Sequence, residues 1–142
     1  MKRVKMYGLG GQGVVTASRL LARAIAIDRG QWAVAIPAYG HERRGAPVTA
    51  SLMADTKPIR VRSFVYEPDY VVVSDPSVCD KGIDIKQGIH SGSILVANSI
   101  ETPGPKVRDG FAEVYYVDAT SVAARILGRE IPNSGMLGLI AS

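Results

Sequence analysis

Two short stretches hold the residues with the most chemical reach: GLGGQG at 8–13 and YGHERRG at 39–45. Gly8, Gly10 and Gly13 satisfy G-x-G-x-x-G, and an apolar run precedes them while an alanine- and leucine-rich run follows. In that setting the amides opening a helix can receive a phosphate. A dinucleotide site also needs a carboxylate at the end of the second strand to bind ribose hydroxyls. Ile36, Pro37 and Ala38 stand there instead, and the next acid, Glu42, is followed by two arginines. An ordinary NAD site is disfavoured. The turn either serves only as a tight strand-to-helix corner, or it faces another phosphate or a partner subunit beneath the YGHERRG loop. Tyr39, Glu42, Arg43 and Arg44 suit a carboxylate or phosphate, because a planar guanidinium grips such anions bidentately. The plainer reading of the same loop is a solvated surface with weak ion pairs.

Other chemistry is sparse. His41 and His90 lie far apart, and neither has Cys, Asp or Glu at metal-ligand spacing. The single cysteine, Cys79, allows no internal disulfide, cannot alone hold an iron–sulfur cluster, and reads as an inert thiol. Two histidines in such company support no Ser–His–Asp arrangement.

The elements that must position these loops follow from periodicity. VKMY (4–7) reads as a buried strand. Residues 14–30 carry apolar side chains at 14, 17, 20, 21, 24, 25 and 27 and stop at Gly30, as an amphipathic helix does. Strand, glycine turn and helix open a βαβ unit, and WAVAIP (32–37) supplies its second strand. Both loops should then emerge at the carboxyl ends of adjacent parallel strands, where open α/β sheets bind ligands. VTASLMAD and IRVRS alternate around TKP and predict a β-hairpin with Arg60 and Arg62 on one face. DYVVVSD (69–75), SILVANS (93–99) and AEVYYVDA (112–119) read as strands buried on both faces. TSVAARILG (120–128) is a short helix opened by hydroxyl caps, and another begins behind Asn133. The fold class expected is α/β: a Rossmann-like, mostly parallel or mixed sheet with flanking helices and a β-hairpin.

With 142 residues and 46% hydrophobic content the chain has the size of one domain. Its formal charge of +4 comes from scattered lysines and arginines, which argues against nucleic acid as a partner. No stretch approaches the roughly 20 apolar residues of a membrane span, and nothing resembles a signal peptide. A reduced, cytoplasmic setting is expected.

GLGGQGVVTASRLLARA, followed by PAYGHERRGAPV and then IRVRS and EPDYVVVSDP, closely resembles the gamma subunit of 2-oxoacid:ferredoxin oxidoreductases, the pyruvate type most nearly. The likeness spans about residues 4 to 140. It implies a single gamma-type domain over 1–142, C-terminally incomplete because relatives continue past the position of Ser142. It also implies a subunit, not catalytic alone, of an enzyme that oxidatively decarboxylates a 2-oxoacid to acyl-CoA. The resemblance places thiamine diphosphate, Mg and [4Fe–4S] clusters in alpha-, beta- and delta-type partner chains, with ferredoxin or a similar carrier taking the electrons. This chain would bind no cofactor by itself and would support assembly and the coenzyme A side of the site. Carried onto this sequence, the ligand- or subunit-facing set is Gly10, Gly11, Gln12, Gly13, Tyr39, Gly40, Glu42, Arg43, Arg44 and Gly45, none of them an acid, base or nucleophile. The competing readings are a free-standing NADP-binding reductase, with Arg43 and Arg44 on the 2′-phosphate, and a purely structural assembly module.

Overall fold

The computed structural model describes residues 1–38, 44–130 and 132–141. Its six-stranded sheet has the order β2-β3-β1-β4-β5-β6. The strands are β1 (Lys2–Leu9), β2 (Trp32–Pro37), β3 (Pro47–Asp55), β4 (Tyr70–Val73), β5 (Ile94–Asn98) and β6 (Glu113–Val117). β1, β4, β5 and β6 run parallel, while β3 lies antiparallel between β1 and β2.

Alternation along β1 assigns its two faces. Val4 and Met6 point to the side covered by α1 (Val14–Asp28) and α4 (Asn133–Ala141), where they pack with Ala50, Leu52, Val72 and Met136. Tyr7 points the other way, with Val71, Val73 and Leu95, beneath a 3-10 turn (Pro76–Lys81) and Ile85. Both faces of the central strands are therefore dry, which explains the uninterrupted apolar runs of β4 and β5. Met6 and Leu52 are no more than 1% exposed, and burial of such side chains contributes roughly 1.5–3 kcal/mol apiece. Two more helices, α2 (Pro105–Arg108) and α3 (Ala119–Leu127), flank β6 in sequence.

Four expectations need correction. IRVRS forms no strand, because β3 already pairs with β1 on one edge and β2 on the other, leaving no backbone for a hairpin partner. Residues 60–64 are instead exposed, and the stretch is pinned where the Val65 N–H donates to Ser51 Oγ at 3.0 Å. β6 is an edge strand with Tyr115 and Tyr116 half-exposed, so it is not buried on both faces. α3 is capped by the Asp118 carboxylate, which accepts from Ser121 N–H, and not by a hydroxyl. Finally, β1 and β2 share a direction but are not neighbours, since β3 separates them. Their carboxyl ends still lie at the same edge of the sheet.

Candidate functional site at the glycine turn

β1 hands over to α1 in a corner built from glycine because nothing larger fits. A methyl on Gly8 would strike Val14 Cγ2, and it would stand 3.2 Å from Ser74 Cβ. Gly11 and Gly13 adopt φ of +91° and +76°, the left-handed region that other residues enter at a cost. At Gly13 a Cβ would also lie 2.6 Å from Asn133 Nδ2, so the start of α4 closes against the start of α1.

The second loop docks onto this corner. Gly10 N–H donates to the Ala46 carbonyl at 2.8 Å, and Gly45 N–H donates to the Gly10 carbonyl at 3.1 Å. These two bonds lay Arg44 over the turn, with its Cγ 3.6 Å and its Nε 3.9 Å from where a Gly11 Cβ would sit. Of the ten residues expected here, Gly10, Gly11, Gln12, Gly13, Arg44 and Gly45 come together; Tyr39, Gly40, Glu42 and Arg43 lie outside the described residues, as does His41. Beside the turn opens a cavity of about 300 Å³ lined by Gly10, Gly11, Val14, Thr16 and Val48. The first turn of α1 carries no acidic residue, and among the described residues no side-chain cap bonds its amides. Uncapped amides, the positive end of the helix dipole and one guanidinium make a lip that attracts an anion.

Gln12 faces inward. Its Oε1 accepts from Leu9 N–H and its Nε2 donates to Asp75 Oδ2, each at 2.8 Å. Asp75 Oδ1 accepts from Ser77 N–H at 2.9 Å, capping the 3-10 turn. Partial burial pushes the Asp75 carboxyl up, but the Ser77 and Gln12 hydrogen bonds outweigh it and hold the group below the ordinary aspartate range. Asp75 thus locks the turn from the end of β4, and Asn98, at the end of β5, ties the end of β4 to the start of α3. The Asn98 Nδ2 donates to the Ser74 carbonyl and to Thr120 Oγ1, and its Oδ1 accepts from Ala119 N–H. Sequence reasoning missed both, although the Asp-Pro-Ser run at 75–77 is a readable cap signal.

The remaining candidates sit elsewhere. His90 Nε2 lies 3.0 Å from Asp69 Oδ1 at the opposite end of β4, far from the turn, and its Nδ1 accepts from Gly92 N–H. Cys79 is half-buried; burial and then Asp80 push its thiol above the ordinary value, which disfavours a nucleophilic thiolate. Among the described residues no three His, Cys, Asp or Glu side chains gather as metal ligands, and no helix is long and apolar enough to cross a membrane. The end of β2, two strands from β1, stands in the wrong place for a ribose-binding carboxylate, which counts against the NADP reading.

Comparison with known proteins agrees with this architecture. A family model described as pyruvate ferredoxin/flavodoxin oxidoreductase matches residues 3–142. The pyruvate/ketoisovalerate oxidoreductases common subunit gamma of Thermococcus litoralis is 42% identical over 144 residues, covering 99% of this chain and 77% of its own length. The pyruvate synthase subunit PorC of Methanosarcina barkeri is 43% identical over 141 residues, covering 99% of this chain and 76% of its own. The crystal structure of the pyruvate oxidoreductase subunit PORC of Thermotoga maritima superposes with a TM-score of 0.78 at 34% identity, covering 96% of this chain and 72% of that one. Matched by the family model over residues 3–142 and by curated relatives across 99% of its length, the chain belongs to the pyruvate ferredoxin/flavodoxin oxidoreductase family.

Proposed function

We propose that this chain is the gamma-type subunit of a cytoplasmic 2-oxoacid:ferredoxin oxidoreductase acting on pyruvate, and that its glycine turn and Arg44 form the coenzyme A side of the active site. The observation that carries the reading is the near full-length kinship with chains named gamma or PorC subunits of pyruvate-type oxidoreductases. The partners are alpha-, beta- and delta-type chains, with ferredoxin or a similar carrier as electron acceptor.

The division of labour follows from the side chains present. Thiamine diphosphate with Mg supplies decarboxylation chemistry and [4Fe–4S] clusters supply the electron exit. The clusters do not fit this chain, because Cys79 is its sole thiol and its pKa is raised rather than lowered, and thiamine diphosphate with Mg is assigned to the partner chains. Coenzyme A does fit, because its phosphates meet open amides and a guanidinium with no opposing acid in the first turn of α1. The residues here bind and orient; proton and electron transfer belong to the partner chains.

Purification of the native protein followed by mass spectrometry is expected to return thiamine-diphosphate-binding and cluster-binding chains in constant ratio. The isolated chain, supplied with thiamine diphosphate, Mg, coenzyme A, pyruvate and an artificial acceptor, should show no turnover. Turnover by the chain alone, or native material without partners, would refute the subunit reading.

Arg44 gives the sharper test of the ligand. A charge-assisted contact with phosphate is worth about 1.5–3 kcal/mol, or about one to two decades in affinity. Arg44→Ala in the assembled enzyme should raise KM for coenzyme A by about 10- to 100-fold with kcat nearly unchanged and the complex intact. A looser complex at unchanged KM would assign Arg44 to a protein contact and support the purely structural module.

A further inference from the structure

Residues 56–64, between β3 and β4, take a longer path than the fold requires. The Val65 N–H donates to Ser51 Oγ, so the chain that leaves β3 at Asp55 returns to a point four residues back along that strand. Four strand residues span about 13 Å, whereas the ten residues from Asp55 to Val65 can reach more than twice as far. The excess stands away from the body as an arm. Its ends are tied, one by Lys57 N–H donating to Asp55 Oδ1 at 3.3 Å, the other by Val65, which is 2% exposed. Between the ties, residues 58–64 make no hydrogen bond and no ion pair among the described residues.

The arm carries the side chains of an interface. Ile59 and Val61 alternate with Arg60 and Arg62, and Phe64 follows. Val61 is 57% exposed and Phe64 44%, beside Tyr66 at 68%. Apolar area facing water is unfavourable, and where it is set among charges it marks a contact surface. Arginine with aromatic residues is the composition of the energetic centre of such surfaces. In sequence, Lys57, Arg60 and Arg62 stand between Asp55 and Glu67 with no acid among them. Asp55 is already engaged, by the terminal ammonium at 3.5 Å and by the Lys57 amide. The arm thus presents unneutralised cations next to exposed apolar side chains, complementary to an acidic surface with an apolar patch. Three cations are few beside the roughly six to ten phosphate contacts of a duplex binder, so a protein surface is the occupant that fits.

We propose that residues 57–66 dock on an acidic surface of a neighbouring chain in the same oxidoreductase, with Arg60 and Arg62 paired to its carboxylates and Val61 and Phe64 buried against the apolar residues beside them. The proposal rests on the subunit reading above. The arm leaves the sheet at the amino end of β1, where Lys2 pairs with Ala54, so this contact is separate from the glycine turn at the other end.

The test uses the complex co-expressed from all its chains, with dissociation of this subunit on dilution followed by native mass measurement. Melting of the full chain expressed alone is the control for folding. Arg60→Glu combined with Arg62→Glu should weaken association about 100-fold, and Val61→Ser about 3- to 10-fold. Both variants expressed alone should melt within about 2 °C of wild type, because the side chains replaced are exposed and make no hydrogen bond or ion pair among the described residues. Raising the salt from about 0.05 M to about 0.5 M should narrow the gap between the wild type and the double variant, since screening weakens attraction and repulsion alike. Unchanged association of either variant, or a gap that salt leaves as it was, would overturn the proposal. So would a fall in Tm above about 5 °C in both variants, which would make the arm a structural part of this chain. Loss of self-association by the chain alone, or release of bound nucleic acid, as the sole effect of the double variant would give the arm a different occupant and overturn the proposal too. A wild-type chain that associates with none of its co-expressed chains would overturn the subunit reading itself, and the proposal with it.

Discussion

Gly88→Ala should prevent the chain from accumulating in folded form, or lower its melting temperature by about 15 °C. Gly88 has φ of +79°, and a Cβ there would overlap the Tyr66 carbonyl oxygen and lie 2.9 Å from the carbonyl carbon. Backbone cannot rotate away as a side chain can. Either the loop holding Ile85 and Ile89 lifts from the sheet or the 65–68 stretch moves, and both uncover the core formed by Tyr7, Val71 and Leu95. Strain and lost burial together cost about 4 kcal/mol or more, which at this chain length is about 12–20 °C in Tm. Gly104→Ala is the control: its φ is −63° and nothing lies within 4 Å of an added Cβ, so its Tm should stay within about 2 °C of wild type. Melting curves of the two variants decide the matter, and a drop under about 3 °C for Gly88→Ala would mean the loop adjusts freely.

The second large effect is expected at Gln12→Glu. The substitution replaces the amide that donates to Asp75 with a second carboxylate at a 2.8 Å contact. Two like charges at that distance in a half-buried corner cost about 2–4 kcal/mol at neutral pH. The pH dependence changes sign with it. In the wild type the Asp75 pKa is depressed, so its contribution is present above the unfolded aspartate value and fades as pH falls through the lower folded value. In the variant the pair shares a proton with a raised pKa, so protonation relieves the folded state first. The gap in Tm between variant and wild type should narrow as pH drops from about 7 to about 5. A gap that stays constant or widens over that range would show that the two side chains do not meet.

What the sequence disclosed depended on whether a signal was local. The β1 corner and α1 were legible because the hydrophobic period changes from two to 3.6 across a glycine run within a dozen residues. β4 and β5 were legible because strands covered on both faces need no polar positions. IRVRS alternates as a strand does, but alternation does not report whether a neighbouring backbone is free, and both edges of β3 were taken. AEVYYVDA contains the right residues for a buried strand, yet burial depends on what lies beyond β6, where the described sheet ends. Arg44 was visible as charge beside a glycine turn. The work of Gln12 was not, because the resemblance set it facing a ligand or subunit while its partner within the chain, Asp75, lies 63 residues on.

The antiparallel β3 also sets an order of events during synthesis. β1 leaves the ribosome first, yet its neighbours are β3 and β4, and among the described residues the only neighbour of β2 is β3. Lys2 pairs with Ala54 and Trp32 with Asp55, so a nascent chain that stops short of β3 holds two strands and a helix with no ladder to join. Arrival of β3 zips both sides at once. It also brings in Ala46, whose carbonyl accepts the Gly10 N–H. The glycine turn is therefore closed late, by a segment more than thirty residues downstream, and the lip proposed to hold an anion comes into being together with the sheet and not ahead of it.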